Sequence, residues 1–167
     1  MTKIQTERLI IRNLEKKDAQ PLQRIANNKK IWENLTDQFP HPYTLEAAKK
    51  WIETNQKKEI QDNFAITLNN EIIGMIGFED KKDFFEVGYW LGENSWGKGY
   101  ATEVLKAITQ HVFNNYKPSK IKAKVFLHNP SSGKVLEKCG YEKQKQTETT
   151  TKAGKTIKEL VYIKTKE

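Results

Sequence analysis

The chain is short of several residue types, and each shortage removes a class of protein. It holds one cysteine, Cys139, so no internal disulfide can form, and a reducing compartment, the cytoplasm, is expected. Its three histidines, His41, His111 and His128, are too scattered for metal-ligand spacing, and no metal is expected. No apolar run approaches the roughly 20 residues needed to cross a bilayer. Met1-Thr2-Lys3 opens no secretory signal, so no membrane partner is expected. Internal repeats are missing as well, and the Lys/Thr-rich tail keeps strand alternation.

What remains reads as one globular unit. Hydrophobic residues make up 37%, charged residues 30% and aromatics 10%, too much apolar content for a disordered chain. A length of 167 residues predicts a single domain over 1–167. Such a chain buries roughly 70% of its extended surface in one core. The net charge of +8 favours polyanions: phosphorylated ligands, ribosomes or nucleic acid. Much of the excess is spread singly, however. Lys120, Lys122 and Lys124 alternate along a strand, and Lys143, Lys145, Lys152 and Lys155 sit near the C-terminus, as on a solvated sheet face.

Residues 86–111 read EVGYWLGENSWGKGYATEVLKAITQH. An apolar strand is predicted over 87–91 and a polar turn over 92–95. A helix follows, with Trp96, Gly97, Lys98, Gly99, Tyr100 and Ala101 as its first turn. Ala101, Val104, Leu105, Ile108 and Val112 keep the three-and-four spacing of a helix with one buried face. Glycines at a helix mouth leave backbone N–H groups uncovered, and the helix dipole adds positive charge there. That mouth is expected to hold a pyrophosphate, and the strand before it the reacting end of the same ligand. Gly92 to Lys98 also match a nucleotide triphosphate loop, but Gly99 stands where Ser or Thr must hold magnesium. A dinucleotide fingerprint begun by Gly97 and Gly99 meets Thr102 where its third small residue belongs. A glycine-containing helix start with no ligand is the bland alternative.

The run from Trp96 to Ala101 resembles the coenzyme A loop of the GNAT superfamily of N-acetyltransferases. Trp96 replaces the Arg or Gln of that pattern, as in the branch resembling the ribosomal-protein N-terminal acetyltransferases. The opening Thr6-Glu7-Arg8-Leu9-Ile10-Ile11-Arg12 is similar to that branch too. A second marker runs from Asn129 through Ser132 to a helix ending before Gly140-Tyr141. The resemblance covers nearly the whole chain and implies acetyl-CoA as the acetyl donor. By the same resemblance Trp96, Gly97, Lys98, Gly99, Tyr100, Ala101 and Thr102 surround its pyrophosphate. Trp90 and Leu91 line the strand, Asn129 hydrogen-bonds the pantetheine arm, and Ser132 lies near the sulfur. An Asn at a strand end does offer both a donor and an acceptor to an amide-bearing arm. Alternatively Asn129 only caps the helix.

Along the chain, a strand is predicted at 6–12, and a helix from Asp18 carries Ala19, Leu22, Ile25 and Ala26 inward, with Pro21 in its first turn. Residues 29–43 read as a loop. Thr44 caps a second helix with Ala48, Trp51 and Ile52 facing inward. Strands at 63–68 and 71–79 meet at Asn69-Asn70, a hairpin signal. A third strand begins near Phe84. After the long helix come a strand with Ile121, Ala123, Val125 and Leu127 on one side and a short helix over 131–138. Final strands at 141–149 and 156–164 are joined through Lys152-Ala153-Gly154-Lys155. This order predicts an α+β fold with a mixed, mostly antiparallel central sheet and helices on both faces, which is also the GNAT element order.

Acetyl transfer to an amine needs a neutral nucleophile, a stabilised oxyanion and a protonated leaving thiolate. The resemblance places the acetyl carbonyl on the backbone N–H of Leu91, with Trp90 as a second candidate donor, in a splayed and bulged strand that Gly88 would allow to distort. Glu86 matches the glutamate that acts as base through water in histone-type relatives; a solvated strand-end carboxylate is its bland reading. Many relatives carry a tyrosine acid where Leu136 stands, so Ser132 is the substitute. Ser95 lacks the glycine pattern of a hydrolase nucleophile, and Cys139 before Gly140 is expected to be inert. Trp32, Phe39, His41 and Tyr43 either line an acceptor site or simply pack.

The favoured function is therefore transfer of acetyl from acetyl-CoA to a protein or peptide N-terminus by direct attack in a ternary complex. A ribosomal protein is a possible partner, and the protein is expected to be a monomer or homodimer. Polyamines and aminoglycosides are alternative acceptors. Both are cationic and want an acidic pocket, whereas residues 29–43 carry Glu33 and Asp37 against Lys29 and Lys30. A basic ribosome- or RNA-binding module that keeps the fold without turnover is the alternative of a different class.

Overall fold

The computed structural model describes residues 2–36, 38–60, 62–150 and 154–166. Near the N-terminus, β1 (Lys3–Gln5) and β2 (Ile10–Asn13) flank a turn held by Thr6 and Leu9, so the strand expected over 6–12 is a hairpin. Then come α1 (Ala19–Ala26), a short α2 (Lys29–Trp32) inside the segment expected to be loop, and α3 (Leu45–Gln56). Thr44 caps α3 as its sequence requires, its Oγ1 accepting from the Ala47 N–H at 3.1 Å. Asp18 precedes α1 and binds Arg12 at 2.8 Å rather than capping the helix.

The strands β3 (Asn63–Leu68), β4 (Glu71–Asp80) and β5 (Phe85–Leu91) form an antiparallel meander. Asn69 and Asn70 both take positive φ at the first turn, as the Asn-Asn signal demands. The long α4 (Tyr100–Tyr116) crosses over to β6 (Lys120–Phe126), then α5 (Pro130–Lys138), β7 (Glu142–Thr150) and β8 (Thr156–Thr165) complete the order. Lys152 and Ala153 of the expected final turn lie outside the described residues.

The eight strands form one sheet in the order β1-β2-β3-β4-β5-β6-β8-β7, with β5 and β6 its parallel pair. Two apolar layers cover it. On one face, Leu22, Ala26, Ala48 and Ile52 from α1 and α3 pack on Ala65 and Met75. On the other, Val104, Leu105, Ile108 and Val112 of α4 and Leu136 of α5 pack on Phe64, Ile76, Val87 and Ile121. Each of these large side chains contributes about 1.5–3 kcal/mol by leaving water. Trp51 and Leu127, expected inside, are 39% and 45% exposed. Trp51 sits beside the buried stripe of α3, whose third inward position is taken by Asn55, and Leu127 lies past the end of β6.

Candidate active site

The sheet splits at its centre. The ladder between β5 and β6 consists of Phe85 with Ile121 and Glu86 with Lys122. Beyond it, β5 stays on β4 as far as Leu91 opposite Gly74, while β6 stays on β8 as far as Phe126 opposite Glu159. A gap therefore opens toward the C-terminal ends of both strands. The Gly92 N–H donates to the Ile73 carbonyl at 2.8 Å. By the alternation of an antiparallel ladder, the N–H groups of Leu91 and Tyr89 then point away from β4 and into the gap. The expected splay is present; the expected bulge is not, since β5 keeps unbroken register with β4.

The helix expected from Trp96 begins at Tyr100 instead, and residues 96–99 form its approach. Gly97 and Gly99 take φ of +72° and +79°, a conformation that a side chain strains. Gly99 is the N-cap and has no side chain to cover the first amides of α4, so those donors stay bare at the mouth. Trp96 turns its indole back to the strand, donating Nε1–H to the Leu91 carbonyl at 2.8 Å. It braces the turn after β5. Arg8, which no local spacing links to this loop, grips it from the N-terminal hairpin. Its Nη1 donates to the Lys98 carbonyl at 2.9 Å, its Nε to Glu103 at 2.8 Å, and its guanidinium lies 4.6 Å over the Tyr100 ring. Burial raises the Glu103 pKa, but hydrogen bonds from Thr6 and from the backbone and side chain of Arg8 outweigh it and hold the carboxyl below its usual range. Thr102 offers its carbonyl to the Cys139 Sγ at 3.5 Å; burial pushes that thiol up, as suits an inert cysteine.

Strand alternation sends the side chains of β5 to opposite faces. Glu86 and Trp90 point to the α1/α3 side. Glu86 lies 3.7 Å from Lys124, and Trp90 meets Phe39 edge-on with centroids 5.6 Å apart. Phe39 in turn packs on Tyr43, whose phenol burial pushes up to about 12. Trp32 stacks on His41, and the His128 Nε2–H donates to the Glu33 carbonyl at 3.0 Å. Residues 29–43 thus touch β5 through Phe39 and the segment just after β6 through Glu33. The carboxylates here are occupied: Glu33 pairs with Lys29 at 3.8 Å and Glu93 binds Lys30 and Asn28. Asp37 lies outside the described residues.

The other face carries Tyr89 and Leu91. Tyr89 Oη lies 2.9 Å from Ser132 Oγ on α5, a pair that no sequence spacing announces. Asn129 stands at the N-cap of α5 without making the capping hydrogen bond, and its Oδ1 accepts from Ser131 at 3.2 Å. Its amide N–H₂ is not used in capping the helix. Leu136 is core at 1% exposure, so a hydroxyl is indeed lacking there.

A gap with inward amides, a bare helix mouth and an uncommitted Asn amide suits a long ligand with a diphosphate at one end and amides along its arm. The family model described as acetyltransferase (GNAT) domain matches residues 8–142. The chain belongs to the GNAT acetyltransferase family. As a GNAT N-acetyltransferase it takes its acetyl group from acetyl-CoA. The N-acetyltransferase p20 of Bacillus licheniformis is 29% identical over 155 residues, covering 86% of this chain and 84% of that one. The [ribosomal protein uS5]-alanine N-acetyltransferase of Escherichia coli (strain K12) is 28% identical over 153 residues, 85% of this chain and 79% of its own. The ribosomal L7/L12 α-N-protein acetyltransferase RimL, solved with coenzyme A, shares the fold with a TM-score of 0.84 at 19% identity, over 98% of both chains. In this GNAT member no three His, Cys, Asp or Glu side chains converge as a metal site among the described residues. No helix there is long and apolar enough to cross a membrane.

Proposed function

We infer that this chain, read as one domain over residues 1–167 acting in the cytoplasm, acetylates the α-amine of a peptide or protein N-terminus. The observation that carries this reading is the split between β5 and β6 with different chemistry on its two faces. Glu86 and the aromatic wall of Trp90, Phe39 and Tyr43 occupy the side from which an amine would arrive. Ser132 occupies the opposite side, where the leaving group would depart.

Acetyl-CoA supplies the acetyl thioester. The amides at the mouth of α4 from Gly97 to Thr102, with Lys98 beside them, take the diphosphate. Asn129 takes an amide of the arm, and the N–H groups of Leu91 and Tyr89 face the carbonyl oxygen as negative charge builds there. Trp90 contributes to the wall, its backbone N–H belonging to the β4 ladder. Glu86 receives the surplus amine proton through water, and Ser132 offers its O–H to the sulfur.

An N-terminus is favoured over polyamines and aminoglycosides because the acceptor wall is aromatic and its carboxylates are paired with lysines. A polycation would find no free anion there among the described residues. The name of the relative that acts on a ribosomal protein's alanine supports the same choice. A thiol-release assay tests it, with acetyl-CoA against short peptides, spermidine-like polyamines and aminoglycosides. Release with peptides bearing free N-termini, and not with N-blocked ones, is the expected result. Faster release with a polyamine would replace this acceptor. No release with any amine, together with salt-sensitive RNA binding, would favour the non-catalytic module.

A further inference from the structure

Tyr89 is the largest polar side chain near the gap that the reading above leaves without a task. Its side chain is half-buried, and Ser132 is its hydrogen-bond partner among the described residues, at 2.9 Å. Either oxygen could donate, but the two arrangements are not equivalent. If Ser132 donated, the phenolic O–H would be left with no protein acceptor among the described residues. If Tyr89 donates, its proton is satisfied and the serine keeps its own O–H for something else. Ser132 is only half buried and sits in the first turn of α5, against the β5 face that carries Tyr89 and Leu91, so a ligand in the gap can receive its O–H.

The neighbours leave no rival for this task. Ser131 is committed to Asn129 at 3.2 Å, while Gly133 and Leu136 on the inner face of α5 carry no hydroxyl. Burial pushes the Tyr89 phenol up to about 12, against a smaller downward pull from Ser132, so it stays a neutral donor through the physiological range.

We propose that Tyr89 is a positioning residue, donating to Ser132 Oγ so that the serine O–H is aimed at the departing sulfur. This rests on the acetyl-transfer reading of the site. In the step it serves, the amine nitrogen bonds to the acetyl carbon and the carbon–sulfur bond breaks. The electron pair leaves on sulfur, where the Ser132 O–H holds it by a hydrogen bond. The proton lost by the amine passes through water to Glu86 and in the end neutralises the thiolate. Tyr89 itself neither gains nor loses a proton.

The test uses the full chain with Tyr89→Phe, Ser132→Ala and the double variant, the phenylalanine keeping the ring in place. Two quantities are read: kcat with acetyl-CoA, and the pH at which the thiol of bound coenzyme A ionises, followed by thiolate absorbance. Losing one hydrogen bond to a charged sulfur predicts a fall in kcat of about tenfold in each single variant. The KM for acetyl-CoA should be unchanged, and the double variant should be no worse than either. The ionisation of bound coenzyme A should move to higher pH by the same amount in all three. A purely structural role for Tyr89 would leave that ionisation where it was. If Ser132→Ala shifts both readouts and Tyr89→Phe shifts neither, or if their effects add, Tyr89 is not the positioning group although Ser132 keeps its role. If neither variant moves either readout, the leaving-group assignment of Ser132 falls and takes this proposal with it.

Discussion

Glu86 sits where β5 and β6 still pair, three residues from Tyr89 and five from Leu91. At a strand rise of about 3.3 Å per residue, that is about 10 Å and about 17 Å, too far for direct contact with an amine at the carbonyl. Any proton it takes must travel through water, and Lys124 at 3.7 Å keeps the carboxylate in place. Glu86→Gln should therefore lower kcat at pH 7 by about tenfold or more. The deficit should shrink above about pH 8, where a peptide α-amine is already neutral. Calorimetry should find acetyl-CoA affinity unchanged. Wild-type rates at every pH would remove Glu86 from the mechanism. At this scale the motif residues were legible because each marker lies within its own short segment: Gly97 and Gly99 before α4, and Asn129 and Ser132 at the start of α5. Arg8 and Tyr89 were not, because their partners stand 95 and 43 residues away and no local pattern links them.

Element boundaries were less legible than element types, and the start of α4 shows why. Periodicity alone carries the helix back to Trp96, but two glycines at positive φ hold residues 97–99 outside it. The same cause delays the helix and bares its amides. Elsewhere the apolar run at 6–12 did not reveal that Thr6 closes a turn, and the broken pattern at 29–43 hid the single turn of α2. A bulge was expected in β5 where none occurs, because the strands part by leaving their ladder rather than by inserting a residue. Gly99→Val tests the helix mouth as a unit. A β-branched residue at φ +79° is strained, and its Cβ would stand 3.4 Å from the Arg8 guanidinium. Coenzyme A affinity by calorimetry should fall at least about tenfold, as expected from losing roughly 1.4 kcal/mol of contact with the diphosphate. Affinity equal to wild type would place the diphosphate elsewhere.

Across the whole molecule, the split sheet depends on both layers staying packed, and buried phenols tie each layer to pH. Tyr43 lies among the α1 and α3 side chains, Tyr89 bridges β5 to α5, and Tyr141 meets Thr109 of α4 at 2.7 Å. Burial raises all three, Tyr43 and Tyr89 to about 12 and Tyr141 further. A tyrosine whose folded pKa lies above its unfolded value of 10.0 stabilises the fold fully below that pH. The contribution is lost as pH rises through the folded value. A rise from 10 to about 12 corresponds to about 3 kcal/mol for each phenol at the top of the window. Two or three such losses rival the total stability of roughly 5–15 kcal/mol expected of a folded domain. The urea midpoint should therefore hold steady from pH 7 to about 9 and collapse between about 10 and 12. Tyrosinate absorbance from these residues should appear together with the loss of far-ultraviolet ellipticity. If all the phenols ionise near pH 10 while the ellipticity stays intact, these rings are not buried in the two layers that hold the gap open.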